Sequence, residues 1–279
     1  MDTRSAVLRE IESLDPERDY ARISYLSICF DFPWDVTHAL DLALLKGSCV
    51  PSISGLQART GEFVHRTQKR YDDTLLILAE LLESGHDSER GRAAQRRMNR
   101  IHHRFPIAND DYLYILSTSV VEPIRFNARF GWRPYSETEV RAYFNLWAAI
   151  GRRMGIRDVP RTLAELERYH DDFERERFAF SPSNRANAAA MIEMFSGWYP
   201  APLRPAVRAG IRGLLADEVL DALGLPRPTP RTRRLVEGVL HLRARLLQVG
   251  PRRTRPFLHT RRRSRTYPHG HRIEELGPR

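Results

Sequence analysis

The sequence predicts an all-α chain, and three observations carry that prediction. Apolar residues recur at three- and four-residue spacing through most of its length, as one face of a helix requires. The segments that carry this period open on capping residues and close on glycine or proline. No run alternates apolar with polar residues as a half-buried strand would. With 279 residues, 42% hydrophobic and 29% charged, the chain is long enough for one globular domain with a sizeable core.

The first strong helix covers residues 66–83 and ends at Gly85. A second covers residues 88–104 and stops before Pro106, since the residue ahead of a proline avoids helical backbone. A third opens after Asn109, a good N-cap, and carries Pro123 inside it, where a kink is expected. Ser136 and Glu139 form a capping box, each able to satisfy a backbone donor of the other. The helix behind it sets Val140, Tyr143, Phe144, Trp147, Ile150 and Met154 on one face. Thr162 and Glu165 repeat the box and open a helix that runs to Arg177. Two more helices cover residues 184–197 and 204–223, and the proline-rich link "LPRPTP" leads into a last one at 231–248. After Gly250 the period is lost. Residues 1–250 therefore read as a single multi-helix domain, and residues 251–279 as an arginine-rich, irregular and disordered tail.

The net charge of +10 is unevenly placed. Residues 203–279 hold 18 arginines against 6 acids, whereas residues 1–202 carry 27 basic and 29 acidic side chains. The body is close to neutral, and the surplus belongs to the last third. Basic patches attract nucleic acid and anionic lipid by the same electrostatics, so the tail alone does not choose between them. The start has no apolar segment of a signal peptide, and no run of about 18 apolar residues occurs. Cys29 and Cys49 are the only cysteines, too few for a disulfide framework. A cytoplasmic protein is expected. There is no glycine-rich phosphate loop, no Cys-x-x-Cys pair and no nucleophile elbow, which removes the common nucleotide, zinc-ribbon and hydrolase chemistries.

Two helical faces hold candidate functional residues. In "MNRIHHRF", residues 98–105, His102 lies on the edge of the stripe made by Ala94, Met98, Ile101 and Phe105. His103 projects about 100° away, so the pair cannot aim at one metal ion. His102 is the inward residue, either a core histidine with its ring nitrogens hydrogen-bonded or a ligand. On the 66–83 helix, Arg70 shares a face with Thr74, Ile77, Leu78 and Leu81. An arginine there either snorkels to solvent or is paired in a polar pocket, because burying it alone is prohibitive. Glu83-x-x-His86 and Glu167-x-x-His170 also fit the element of a helical di-iron site, although His86 falls in a turn.

The segments "TGEFVHRTQKRYDDT" (60–74), "MNRIHHRF" (98–105), "NDDYLYILSTSVVEPIRFNARFGWRPYSETE" (109–139) and "WAAIGRRMGIRDVPRT" (147–162) resemble the MpaB and rubber-oxygenase family. The similarity spans residues 55–230 in one order. The resemblance implies an all-helical fold with a haem b pocket between helices, and the use of dioxygen to cleave an isoprenoid carbon–carbon double bond. It implies His102 as the iron ligand, with Arg70 and Thr74 in the haem pocket: the arginine on a propionate or bound oxygen, the threonine on an oxygen intermediate. The rubber-cleaving branch has a lysine just before that threonine, where this chain has Asp73, and Glu62 is a candidate for its catalytic carboxylate.

The expected function is therefore a haem b-dependent oxygenase acting on a small hydrophobic, isoprenoid-like alkene rather than on rubber. The expected partners are that substrate and dioxygen, with a peripheral anionic-membrane contact through the tail and nucleic acid disfavoured. A non-catalytic helical scaffold with a basic tail is the alternative, and a non-haem di-iron enzyme is the third reading.

Overall fold

The computed structural model describes residues 3–251 and 253–278, with side chains described from residue 6 onward. Among them are fourteen α-helices and no strand. In chain order these are α1 (Thr3–Glu12), α2 (Tyr20–Leu26), α3 (Pro33–Gly47), α4 (Pro51–Thr60), α5 (Glu62–His65), α6 (Thr67–Glu83) and α7 (Glu89–His102). They continue with α8 (Asn109–Phe130), α9 (Glu137–Arg153), α10 (Leu163–Arg177), α11 (Pro182–Gly197), α12 (Arg204–Leu214), α13 (Asp217–Leu223) and α14 (Pro230–Val249). The all-α class is thus what the chain adopts.

Local chemistry sets the helix starts. Both capping boxes form, with Glu139 N donating to Ser136 Oγ and Glu165 N to Thr162 Oγ1, each at 3.2 Å. Pro33, Pro51, Pro182 and Pro230 stand in first turns, where a missing N–H leaves no intrahelical bond unmade. α8 remains one helix across Pro123. The helix expected over 204–223 is instead two: Leu215 turns extended between α12 and α13, which sends its side chain into the interior at 3% exposure.

The first five helices lie where periodicity assigned nothing. α3 explains why: Pro33, Asp35, Val36, Ala39, Ala43, Leu45 and Lys46 are buried on several sides of it, so no single stripe stands out. It lies against α8, the central helix, which also packs on α9, α10 and α14. α2 lies on α9, and α6 on α7. The main core joins Leu76, Leu81, Met98, Leu113, Val120 and Trp147 from α6 to α9.

The tail departs furthest from expectation. It is irregular, yet residues 257–277 are strapped across α6 and α7 rather than disordered. Glu83 accepts from His259 N (2.6 Å), Thr260 N (3.1 Å) and Thr260 Oγ1 (2.6 Å). Asp72 accepts from Thr266 N at 2.8 Å, Asp73 from the Tyr267 hydroxyl at 2.5 Å, and Glu80 pairs with His271 Nε2 at 3.0 Å. Burial works to raise the Glu80 carboxyl, but the hydrogen bonds and charges of His271 and Arg90 outweigh it and hold it at about 2. Ile273 and Leu276 anchor the strap at 8% and 0% exposure. Arg97 and Lys69 donate to the carbonyls of Leu276 and Gly277. Gly277 has φ +94°, and a Cβ there would strike the Ile101 side chain. A strap held by carboxylates and single anchors has no period, so helical patterning could not detect it.

Candidate cofactor site

His102 is the last residue of α7, and the exposed His103 caps the helix. The stripe of Ala94, Met98 and Ile101 packs on the core and carries His102 partly inside with it. Its Nδ1 is buried and has no hydrogen-bond partner among the described residues. Its ring lies edge-on to Tyr112 of α8, with centroids 5.6 Å apart. Burial, then the positive charges of Arg70 and His103, push the imidazole down to about 4. It is therefore neutral at physiological pH with a lone pair available, the state a metal ligand needs. A core histidine with Nδ1 satisfied by a hydrogen bond is not what the structure contains.

Arg70 and Thr74 meet one helical turn apart on α6. Arg70 Nη1 donates to Thr74 Oγ1, and Thr74 Oγ1 donates back to the Arg70 carbonyl at 2.9 Å. The guanidinium also lies over the Phe63 ring at 5.2 Å. It folds back on its own helix instead of snorkelling. Burial lowers its pKa, and the charges of Asp73 and Glu62 oppose this without touching it. Those acids are committed elsewhere: Asp73 to Lys69 at 2.7 Å and to Tyr267, Glu62 to Arg66. Among the described residues, Arg70 has no carboxylate in contact. A desolvated cation of this kind calls for an anionic group.

Two side chains here have the chemistry that a haem would use. A neutral imidazole with an unpaired buried nitrogen suits iron, and a guanidinium without an acid suits a propionate. Further round α6, Leu75, Leu78 and Leu82 face Val36 and Leu40 of α3 across an apolar cavity of about 30 Å³, which Phe257 of the strap also lines.

Two arrangements escaped sequence reasoning. Tyr71, beside Arg70 in the chain, hydrogen-bonds Asp41 of α3, and burial pushes that carboxyl up to about 7 against the effect of the bond. Its trace is an acid set inside the apolar run "HALDLALL". The second is a buried cluster beneath α8. His170 Nε2 lies 3.4 Å from Glu122 Oε1 and 3.0 Å from Glu174 Oε1, and its Nδ1 meets Ser117 Oγ at 3.0 Å. The three ligand atoms lie within 4.8 Å of one another, as a metal site would require. Lys46 Nζ already fills the cation position, 2.7 Å from Glu122 and 2.8 Å from Glu174.

The two Glu-x-x-His elements do not assemble. His170 pairs with Glu174 rather than Glu167, Glu83 holds the strap, and His86 sits beside Tyr20 and Asp87.

Fold and site together define an all-helical protein in which a buried neutral histidine and an arginine without an acid in contact lie on neighbouring helices. Residues 41–247 match the family described as "ER-bound oxygenase mpaB/B'/Rubber oxygenase, catalytic domain", and the chain belongs to that oxygenase family. It is 29% identical over 219 residues to the ER-bound oxygenase mpaB of Penicillium brevicompactum, covering 71% of this chain and 56% of that protein. It is 26% identical over 218 residues to mpaB' of the same fungus, covering 72% and 52%. Against mpaB of Penicillium roqueforti (strain FM164) it is 29% identical over 176 residues, covering 57% and 59%. The chain thus spans about half the length of the curated relatives it matches. No single described helix is long and apolar enough to cross a membrane.

Proposed function

We propose that this chain is a haem b-dependent oxygenase that uses dioxygen to cleave a carbon–carbon double bond in a small hydrophobic, isoprenoid-type alkene. The observation that carries the reading is the unpaired, buried Nδ1 of a neutral His102 beside a guanidinium with no acid in contact. When bound, the haem supplies the iron that activates dioxygen. His102 holds the group by its imidazole, which stays unprotonated because burial and Arg70 disfavour the charged form. Arg70 neutralises a carboxylate of the group, and Thr74 fixes the guanidinium in place through its hydroxyl. The hydroxyl proton of Thr74 is engaged by the Arg70 carbonyl, so the threonine acts here by positioning Arg70. Asp41 keeps a proton near neutral pH, held by burial.

The test compares His102→Ala with His103→Ala in protein expressed with haem precursor. The first is expected to lose the Soret band, and the second, altered at an exposed position, to keep it along with turnover. Full haem occupancy in His102→Ala, or loss only in His103→Ala, would overturn the ligand assignment. A folded and colourless parent protein would favour the scaffold reading instead.

A further inference from the structure

α14 carries an unpartnered apolar face. Leu235, Val239, Leu242, Leu246 and Val249 are exposed by 69%, 57%, 56%, 60% and 85%, the largest concentration of exposed apolar side chains on any one helix. Their spacing of four, three, four and three residues sets them in one stripe along the whole helix. The opposite side is already used: Val236 meets Gly213 of α12, Leu240 and Ala244 are buried, and Arg243 pairs with Asp35 at 3.0 Å. The stripe therefore cannot turn inward.

Charge decides what covers it. Arg231, Arg234 and Arg245 project along one edge of the stripe, and all three are exposed. None has an ion pair or side-chain hydrogen bond among the described residues. The single acid of α14, Glu237, lies away from the stripe and is held by Arg129. An apolar stripe edged by free arginines is the pattern of a helix lying in the plane of a bilayer, apolar side chains among the acyl chains and arginines at the headgroups. A second copy of the chain, docked symmetrically, would set these arginines against one another.

We propose that α14 is a peripheral docking surface for an anionic membrane. The stripe enters the headgroup–acyl boundary, and Arg231, Arg234 and Arg245 engage lipid phosphates and carboxylates. This moves the membrane contact away from the C-terminal tail, whose apolar anchors are spent on α6 and α7. α3, to which Arg243 ties α14, lies on the side of α14 away from the bilayer. The inference does not rest on the haem reading, because nothing in it requires a prosthetic group.

The experiment is sedimentation of the full chain with vesicles of phosphatidylcholine alone or mixed with phosphatidylserine, at low and high salt. Binding is expected only with phosphatidylserine and is expected to weaken with salt. The triple variant Arg231→Gln, Arg234→Gln and Arg245→Gln should bind about a hundredfold more weakly, at roughly fivefold per arginine. Leu242→Ser with Leu246→Ser should abolish binding while leaving the thermal transition in place, since both side chains are exposed. Gel filtration of the same proteins should give a monomer. The proposal is overturned if the parent chain ignores phosphatidylserine vesicles or if the α14 variants bind as the parent does. It is equally overturned if Arg261→Gln, Arg262→Gln and Arg263→Gln in the tail remove the binding instead, or if Leu242→Ser converts a dimer into a monomer.

Discussion

Deleting residues 251–279 is expected to unfold the protein, although the tail has the composition of a dispensable basic end. The deletion exposes whatever Ile273 and Leu276 cover, and losing such anchors costs about 2–5 kcal/mol apiece. It also strips partners from Asp72, Asp73, Glu80 and Glu83, four carboxylates on α6 that accept hydrogen bonds from the strap. Hydrogen bonds to charged groups are each worth about 1.5–3 kcal/mol. The truncated chain should therefore show no cooperative melt by circular dichroism and should elute as an expanded or aggregated species. Leu276→Ala gives the graded version: a folded protein losing about 2–5 kcal/mol, which for a chain of this size lowers Tm by about 5–15 °C. A truncated protein melting within a few degrees of the parent would refute the reasoning and return the tail to an independent, solvated end.

Two further outcomes follow from buried charge. Lys46→Met leaves Glu122 and Glu174 facing each other without their ammonium, so it should destabilise by about 3–5 kcal/mol in chemical denaturation, and a change below about 1 kcal/mol would show that the cluster is not an ion pair. Asp41 has a folded pKa of about 7, raised by burial above the ordinary carboxylate value, so the folded state holds its proton more tightly than the unfolded one. Stability from this group is full below the unfolded pKa and is lost as pH rises through about 7, by up to about 4 kcal/mol. Tm measured against pH should fall over that window in the parent and less steeply in Asp41→Asn, and parallel curves would refute it.

What the residues determine by themselves is local. Helix starts at Ser136 and Thr162 follow from short-range hydrogen bonds that four residues specify, and the helix class follows from period and propensity. The phase of α7 is also local, which is why "MNRIHHRF" separates a partly buried His102 from an exposed His103 without a structure. The match of Arg70 to Thr74 is again one turn of one helix. What three-dimensional packing alone decides is every relation between segments distant in the chain. Nothing in the spacing of Arg70 reveals that Asp73 and Glu62 are engaged by other cations and leave it without an acid. Lys46, Glu122 and Glu174 come from three helices, and only their docking makes one buried cluster. The strap and the bare face of α14 have the same origin. Both ends of the chain's last third are rich in arginine, and composition cannot distinguish a segment that buries Leu276 from a helix that exposes Leu242. Burial is a property of neighbours, and neighbours across the fold are not written in local sequence.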